Sequence, residues 1–232
     1  MNKIRFTHRY DNNYLYPPKP AYECIPDWYK NTLGYVTKKP SVEYATSTGT
    51  IKKCIPVFDA LTAGYILFTP CDVWVRPGID GVPEYQWSSS PNKIAIHPIE
   101  QADKYPSDTH NNTPFPKWIN DWIITTPSGY SCMFISPMHN PNPWFDIAPG
   151  IVDTDTYRSC VHFPFTLKNT QGEYLIPAGT PMVQVIPFKR TSWKMVFGNK
   201  KDIEIMEKTD KKLFSQFFNR YKTMFWHRKE FK

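Results

Sequence analysis

The chain has 232 residues, of which 41% are hydrophobic and 16% aromatic, so it fits about one domain and is not a disordered chain. Its 23 prolines against 10 glycines disfavour long helices and long central strands. The net charge is +7, and residues 208–232 carry +6 of it through eight lysines and arginines against two acids. The positive field therefore belongs to the C-terminal segment.

The sequence has no membrane-spanning or signal-peptide pattern, and its cysteines show no pairing pattern. No apolar run reaches the roughly 18 residues of a membrane span, and the first residues lack the apolar core of a signal peptide. We therefore predict no membrane span and a protein that stays in the cytoplasm where it is made. Five cysteines, an odd number without a CxxC pair, predict reduced thiols and no zinc site.

The pattern along the chain predicts three regions. Residues 1–48 are irregular and proline-rich, typical of an N-terminal wrap, with a short helix at 25–30 that Asp27 would cap. Residues 49–198 contain the strand-like runs, at 65–68, 72–75, 94–97, 119–126, 130–136, 160–167 and 182–188. Residues 199–232 form a basic, aromatic C-terminal region.

The C-terminal region changes from strand to helix periodicity. Aromatic residues recur at positions 214, 217, 218, 221 and 225, with lysines and arginines on the other face, so 202–226 is predicted as an amphipathic helix, in one or two pieces. The helix could dock its aromatic face on the domain or on a second subunit. Alternatively, residues 208–232 could bind nucleic acid, with cations on phosphates and aromatic rings on bases.

The order of motifs in 119–190 resembles the dUTPase/dCTP-deaminase superfamily. A strand leads into the turn Thr-Pro-Ser-Gly-Tyr at 126–130, and residues 149–158 then read Pro-Gly-Ile-Val-Asp-Thr-Asp-Thr-Tyr-Arg. A final strand at 182–186 reads Met-Val-Gln-Val-Ile, and Ala-Gly-Tyr at 63–65 is similar to the family's first motif. The whole chain also resembles proteins of tailed bacteriophages.

This resemblance implies a mainly β fold, a distorted β-barrel or jelly-roll, assembled as a homotrimer; the periodicity of 202–226 adds a C-terminal amphipathic helix to it. It implies that Asp153 is the catalytic carboxylate that orients a water, and that Tyr157 packs on a deoxyribose. Arg158, Gln184 and Tyr65 are the further ligand-binding candidates, with the role of Gln184 largely structural in the family. Asp153 and Asp155 are also the candidate ligands of a metal ion, such as Mg²⁺.

The chain departs from the family's pattern at several motifs. Ile66 stands where the first motif has an aspartate, and Ser159 stands where the third has a glycine. The phosphate-cradling segment near 136–139 has neither arginine nor glycine, and no glycine-rich fifth motif follows. A triphosphate needs several cationic and N–H partners, and the sequence offers few.

Two functions therefore remain open. The first is a phage-type nucleotide-handling protein, which either only binds a phosphorylated nucleoside at a subunit interface or also hydrolyses it. The second is a non-enzymatic virion structural or protein-interaction module on the same β fold. The carboxylates of Asp153 and Asp155 also fit a solvated turn, and His139 and His162 fit hydrogen-bonded histidines better than an acid–base or metal pair.

Overall fold

A computed structural model describes residues 2–10, 15–36, 49–79, 82–88, 91–101, 104–106, 115–214 and 220–232. Short strands dominate these residues. They are β1 (Arg5–His8), β2 (Lys19–Pro20), β3 (Tyr65–Phe68), β4 (Val73–Pro77), β5 (Pro83–Trp87), β6 (Ile94–His97), β7 (Phe115–Trp118), β8 (Trp122–Thr125), β9 (Tyr130–Ile135), β10 (Phe145–Ile147), β11 (Gly150–Val152), β12 (Phe163–Leu167), β13 (Tyr174–Ile176) and β14 (Pro181–Lys189).

Four α-helices are described, and they lie outside the strand-rich centre of the chain. They are α1 (Asp27–Asn31), α2 (Ile55–Thr62), α3 (Lys200–Phe214) and α4 (Arg220–Met224). The predicted C-terminal helix is therefore seen as two helices, and positions 217 and 218 of its aromatic stripe lie outside the described residues. The prediction that Asp27 caps α1 is wrong, because Pro26 takes the cap position and Asp27 is the first helical residue.

The strands form four antiparallel sheets among the described residues. Their orders are β1-β8, β10-β12-β7-β6, β11-β9-β14-β3-β2 and β13-β4-β5. The mainly β fold with a C-terminal helix is confirmed. The closed barrel is not: the sheets described here are open and separate, because the many prolines and short strands end each hydrogen-bonded ladder early.

One hydrophobic core joins the four sheets. Trp118 of β7 packs against Phe145 and Phe165 with ring centroids 5.4 and 5.3 Å apart, and all three side chains are fully buried. Phe134 of the five-stranded sheet contacts Phe163 of the four-stranded sheet at 5.5 Å. Offset aromatic pairs of this kind stabilise the packing beyond the area they bury, so the sheets behave as one core.

The alternation read from the sequence explains which side chains enter this core. Phe163, Phe165 and Leu167 of β12 are buried, as the period of two predicts. Val161, predicted on the same face, precedes the strand and is only half-buried. The five cysteines are all free thiols, as predicted.

The N-terminal segment contributes to the sheets. Strand β1 pairs with β8, with Phe6 opposite Ile124, and β2 pairs with β3. The division of the chain at residues 48 and 198 stays a prediction. None of the helices in the described residues combines the length and apolar character needed to cross a membrane.

Candidate functional site

Strand β14 positions the site because it lies in the middle of the five-stranded sheet and ends beside the β8–β9 turn. Its partner β9 pairs with it up to Lys189 opposite Tyr130. The next residue, Arg190, donates its backbone N–H to the Gly129 carbonyl at 2.8 Å. Gly129 has φ +83°, which favours glycine at this turn. The end of β14 is thereby fixed against the turn.

The predicted site segment approaches the same turn from the other side. Strand β11 pairs with β9, and Thr154 follows it with its hydroxyl 2.8 Å from that of Thr126. Thr154 is fully buried, so the residues on either side of it are held in place. Backbone N–H groups of Thr156 and Tyr157 donate to the Asp153 carbonyl, which closes residues 153–157 into a turn.

Asp155 is bound by the turn and by Arg190. Its Oδ2 accepts the Gly129 N–H at 2.8 Å, and the Arg190 guanidinium donates to Oδ1 and Oδ2 at 2.9 and 2.5 Å. The side chain is 5% exposed. The bonds from Arg190, and then that from Gly129, lower the pKa of Asp155 to about 2 and raise that of Arg190. Asp155 is therefore ionised at neutral pH.

Asp153 lies beside this ion pair but is open to solvent. Its Oδ1 accepts the Ser131 hydroxyl at 2.6 Å and lies 3.1 Å from Nη1 of Arg190. Its side chain is 60% exposed and that of Arg190 is 38% exposed. The Tyr157 residue is 47% exposed, and its hydroxyl donates to the Cys160 carbonyl at 3.5 Å. The 153–157 turn thus exposes a carboxylate and an aromatic residue to solvent, and Arg190, from the end of β14, contacts the carboxylate.

Arg190 is the residue that sequence reasoning missed. It is 35 residues from Asp155 and 37 from Asp153 in the chain, and no motif connects them. The available signal was its position directly after the apolar strand that must pair with β9, which places it at the β8–β9 turn.

The Asp153–Asp155 pair has its cation already. Arg190 bonds to both carboxylates, and no group of three or more His, Cys, Asp or Glu residues able to hold a metal occurs within the described residues. A metal ion on this pair would have to displace the guanidinium. Binding of a metal ion such as Mg²⁺ stays a prediction.

Of the other predicted ligand-binding residues, Gln184 lies in the sheet and Arg158 beside the turn. Gln184 is buried; its Nε2 donates to the Ala60 and Ala63 carbonyls, and its Oε1 accepts the Met138 N–H. These bonds join α2 to the loop after β9, which is a structural role. Arg158 is exposed directly after the 153–157 turn. Their ligand binding stays a prediction.

Tyr65 lies at a separate cleft of about 270 Å³, whose other walls include Ile4, Thr126, Tyr130 and Phe231. Its ring contacts Phe231 with centroids 6.1 Å apart. Neither this cleft nor a second one beside α2 is lined by Asp153 or Tyr157. Tyr65 therefore lines a cleft whose described walls include neither Asp153 nor Tyr157.

His139 and His162 each have a hydrogen-bond contact to a different part of the fold. His162 accepts the Asn120 backbone N–H at Nδ1, 3.2 Å away, and burial lowers its pKa. The His139 carbonyl accepts the Trp28 indole N–H.

Comparisons with known proteins give a distant likeness. The sequence matches no protein-family model and no curated protein sequence. Among solved structures, the chain is similar to a mutant dUTPase of phage phi11 of S. aureus, described with a structural Mg(II) ion: 11% identity, TM-score 0.36, 86% of this chain and 98% of that one. It is also similar to a dUTPase of Staphylococcus bacteriophage 80alpha with dUpNHpp: 11% identity, TM-score 0.37, 86% of this chain and 90% of that one. Likeness at this level assigns no activity to the chain.

Proposed function

We propose that the protein binds a phosphorylated nucleoside on the 153–157 turn. One observation carries the proposal: Asp153 and Arg190, both open to solvent, are 3.1 Å apart, and the half-exposed Tyr157 ends the 153–157 turn to which Asp153 belongs. The Tyr157 ring offers an apolar face to a sugar or base. Arg190 supplies a planar, bidentate donor of the kind that recognises phosphate.

Electrostatics determine what such a ligand must do. Two carboxylates outnumber the single guanidinium, so a phosphate gains Arg190 only by replacing Asp153 as its partner. Asp155 keeps Arg190 in place through its bidentate contact while Asp153 is released. The freed Asp153 carboxylate can then accept a proton from a water near the phosphate, which is the step that hydrolysis requires.

Thermal unfolding with a panel of deoxynucleoside mono-, di- and triphosphates tests the binding step. A one-site ligand at 100 times its Kd adds about 2.7 kcal/mol to the free energy of unfolding. Tyr157→Ala and Asp153→Asn should change the stabilisation that the nucleotide produces. Tyr35→Ala, at another half-exposed tyrosine, should not change it. Released phosphate or pyrophosphate reports hydrolysis. A panel without any response contradicts the proposal.

A second candidate, an interaction module, is favoured by the C-terminal arm, which we define as residues 191–208. Every residue of the arm is exposed. Four large apolar side chains in it are almost bare: Trp193 is 91% exposed, Met195 83%, Val196 75% and Phe197 90%. Contiguous apolar surface of this kind marks a protein-interaction site, and we propose that it joins copies of this chain.

Sedimentation analysis over a range of concentrations tests this candidate. We expect an oligomer, with the homotrimer as the predicted state, and a Trp193→Ser/Phe197→Ser variant that is monomeric. A Lys194→Gln variant, which changes the arm without removing apolar surface, should still assemble. A wild-type chain that stays monomeric at every concentration contradicts self-association. Presence in purified virions, with no nucleotide response, would favour the structural role.

A further inference from the structure

The last part of the chain turns back onto the domain. We call residues 220–232 the tail; it comprises α4 and an extended segment. The Trp226 indole N–H donates to both carboxylate oxygens of Asp59 in α2, at 2.9 and 3.0 Å, and Lys229 donates to Oδ2 at 2.5 Å. The Tyr65 hydroxyl donates to the Lys232 carbonyl at 3.3 Å. The tail is thereby fixed at both ends of its extended segment.

A cleft of about 260 Å³ lies between the tail and α2, and we call it the tail cleft. Four aromatic side chains line it: Tyr22, Phe58, Trp226 and Phe231. The indole N–H of Trp226 is already used by Asp59, so Trp226 presents its ring face rather than a donor. This volume is near the lower end of small-molecule sites, which are mostly apolar with a few fixed polar groups. The aromatic faces favour a small, flat ligand.

The charged groups at the tail cleft are mainly cations. Arg228, Lys229 and Lys232 line it together with a single acid, Glu230. Glu230 lies 3.4 Å from Arg228 and 2.8 Å from Lys232, and the bond from Lys232 lowers its pKa, so it is ionised at neutral pH. Lys229 is held by Asp59 and is not available. The side chains of Arg228 and Lys232 are 73% and 65% exposed, so they are able to turn towards another anion.

We propose that the tail cleft binds a small aromatic anion, with its ring against Tyr22 and Trp226 and its negative group between Arg228 and Lys232, in place of the Glu230 carboxylate. The shared chemistry is a planar ring carrying a phosphate or carboxylate. Cations beside aromatic faces recognise both parts of such a ligand. The proposal uses none of the residues of the 153–157 turn and is independent of the function proposed there.

Calorimetric titration of the full chain tests the ligand class. The probes are adenosine 5′-monophosphate and indole-3-acetate, which separate phosphate from carboxylate as the anionic group. Adenosine and inorganic phosphate each lack one half of the proposed chemistry. We expect at least one aromatic anion to bind roughly tenfold more tightly than either half-ligand, since each half forfeits a charge-assisted or stacking contact. Equal affinities, or no binding of either aromatic anion, would overturn the proposal.

Substitutions distinguish an anion site from a structural contact. Arg228→Gln should weaken binding roughly tenfold through loss of a charge-assisted hydrogen bond, and Tyr22→Ala should weaken it through loss of the ring contact. Glu230→Gln should strengthen binding, because it frees both cations from their internal competitor. If Glu230 served only to fix the tail, Glu230→Gln would leave binding unchanged or weaken it. Unchanged or weaker binding by Glu230→Gln therefore contradicts the proposal.

Two further variants locate the bound probe. Arg76→Gln removes a cation that pairs with Glu173 on the three-stranded sheet, away from the tail cleft, and should bind as the wild type does. Tyr157→Ala alters the 153–157 turn, where a phosphorylated nucleoside is proposed to bind, so it should keep the wild-type affinity for indole-3-acetate, which is not a nucleotide. Binding that is lost in Tyr157→Ala but kept in Arg228→Gln would assign the probe to the turn, overturning the tail cleft while supporting the other proposal.

Discussion

The two segments that meet at Arg190, strand β14 before it and the arm after it, have opposite surroundings. Before it, β14 runs through the middle of the largest sheet, and Met182, Val183 and Val185 are at most 2% exposed. After it, the arm has the same kind of apolar side chains, yet Trp193 and Phe197 are about as exposed as in an unfolded chain. Amino-acid composition alone does not distinguish β14 from the arm. The sheet gives β14 partners on both sides, whereas the arm has none within the described part of its own chain.

The comparison separates apolar residues that are buried within the monomer from those left exposed for the proposed association. Apolar burial on the β14 side stabilises the monomer. On the arm side, the same residues can lower the free energy only when another surface covers them. Changes in β14 should therefore act on the free energy of unfolding, and changes in the arm on the proposed assembly.

The largest effect is expected at the buried ion pair of Lys93 and Asp121. The two charges are 2.6 Å apart and their side chains are 8% and 6% exposed. Lys93→Met leaves the Asp121 carboxylate buried without its cation, which should cost about 3–5 kcal/mol. Chemical denaturation measures it. Arg76→Gln, at the exposed Arg76–Glu173 pair, should cost at most about 1 kcal/mol. Similar losses in both variants would show that the first pair is not desolvated.

The next effect is expected at Gly64, which joins α2 to β3. Its φ is +70°, and a Cβ there would overlap the Val185 carbonyl of β14. Gly64→Ala should therefore destabilise the fold by about 3 kcal/mol or more, from backbone strain and displacement of β14 together.

Gly129→Ala is the matched control for Gly64. Gly129 also has a positive φ, of +83°, but a Cβ there meets no atom within 4 Å. Gly129→Ala should lower the free energy of unfolding by only about 1 kcal/mol, the cost of the left-handed conformation alone. Equal losses at both positions would mean that strain in the dihedral angle, rather than the contact with β14, dominates.

A smaller, pH-dependent effect is expected at Asp155. Its pKa is lowered to about 2 by Arg190 and the Gly129 N–H. The stabilisation is therefore complete above the unfolded pKa of about 3.9 and is lost as the pH falls towards 2. Denaturation midpoints of Asp155→Asn and the wild type should differ most at neutral pH and converge near pH 2.

Arg190→Gln should show the same convergence, because it removes the first cause of the lowered pKa. Lys189→Gln, the adjacent exposed cation, should keep the wild-type pH profile. A difference between Asp155→Asn and the wild type that is independent of pH would mean that the contribution of Asp155 is steric rather than ionic.

The sequence predicted the parts of the fold that depend on neighbouring residues. Alternating side chains predicted β9 and β12, and strand-like apolar runs predicted β3 and β14, since both patterns are local. The turn before β9 followed from Pro-Ser-Gly. The pairing of β1 with β8 was not predicted, because the alternation of Arg5–His8 covers only four residues and a local pattern does not record the partner strand.

The site was predictable only in part for the same reason. The Asp153–Tyr157 turn lies within one motif, and its residues are close in the structure. The contact of Trp226 with Asp59 spans 167 residues, and that of Arg190 with Asp155 spans 35. Contacts of this kind depend on how sheets and tail pack together, which no local pattern records.

The smallest effect on stability is expected in the arm, and it tests the comparison most directly. Trp193→Ser/Phe197→Ser removes two large apolar side chains that are 91% and 90% exposed. Because they bury almost nothing in the monomer, the free energy of unfolding at low protein concentration should change by no more than about 0.5 kcal/mol. At high concentration, where the wild type assembles, its unfolding temperature should exceed that of the variant. If the variant is destabilised equally at every concentration, the arm packs on its own domain, and the boundary at Arg190 does not separate folding from association.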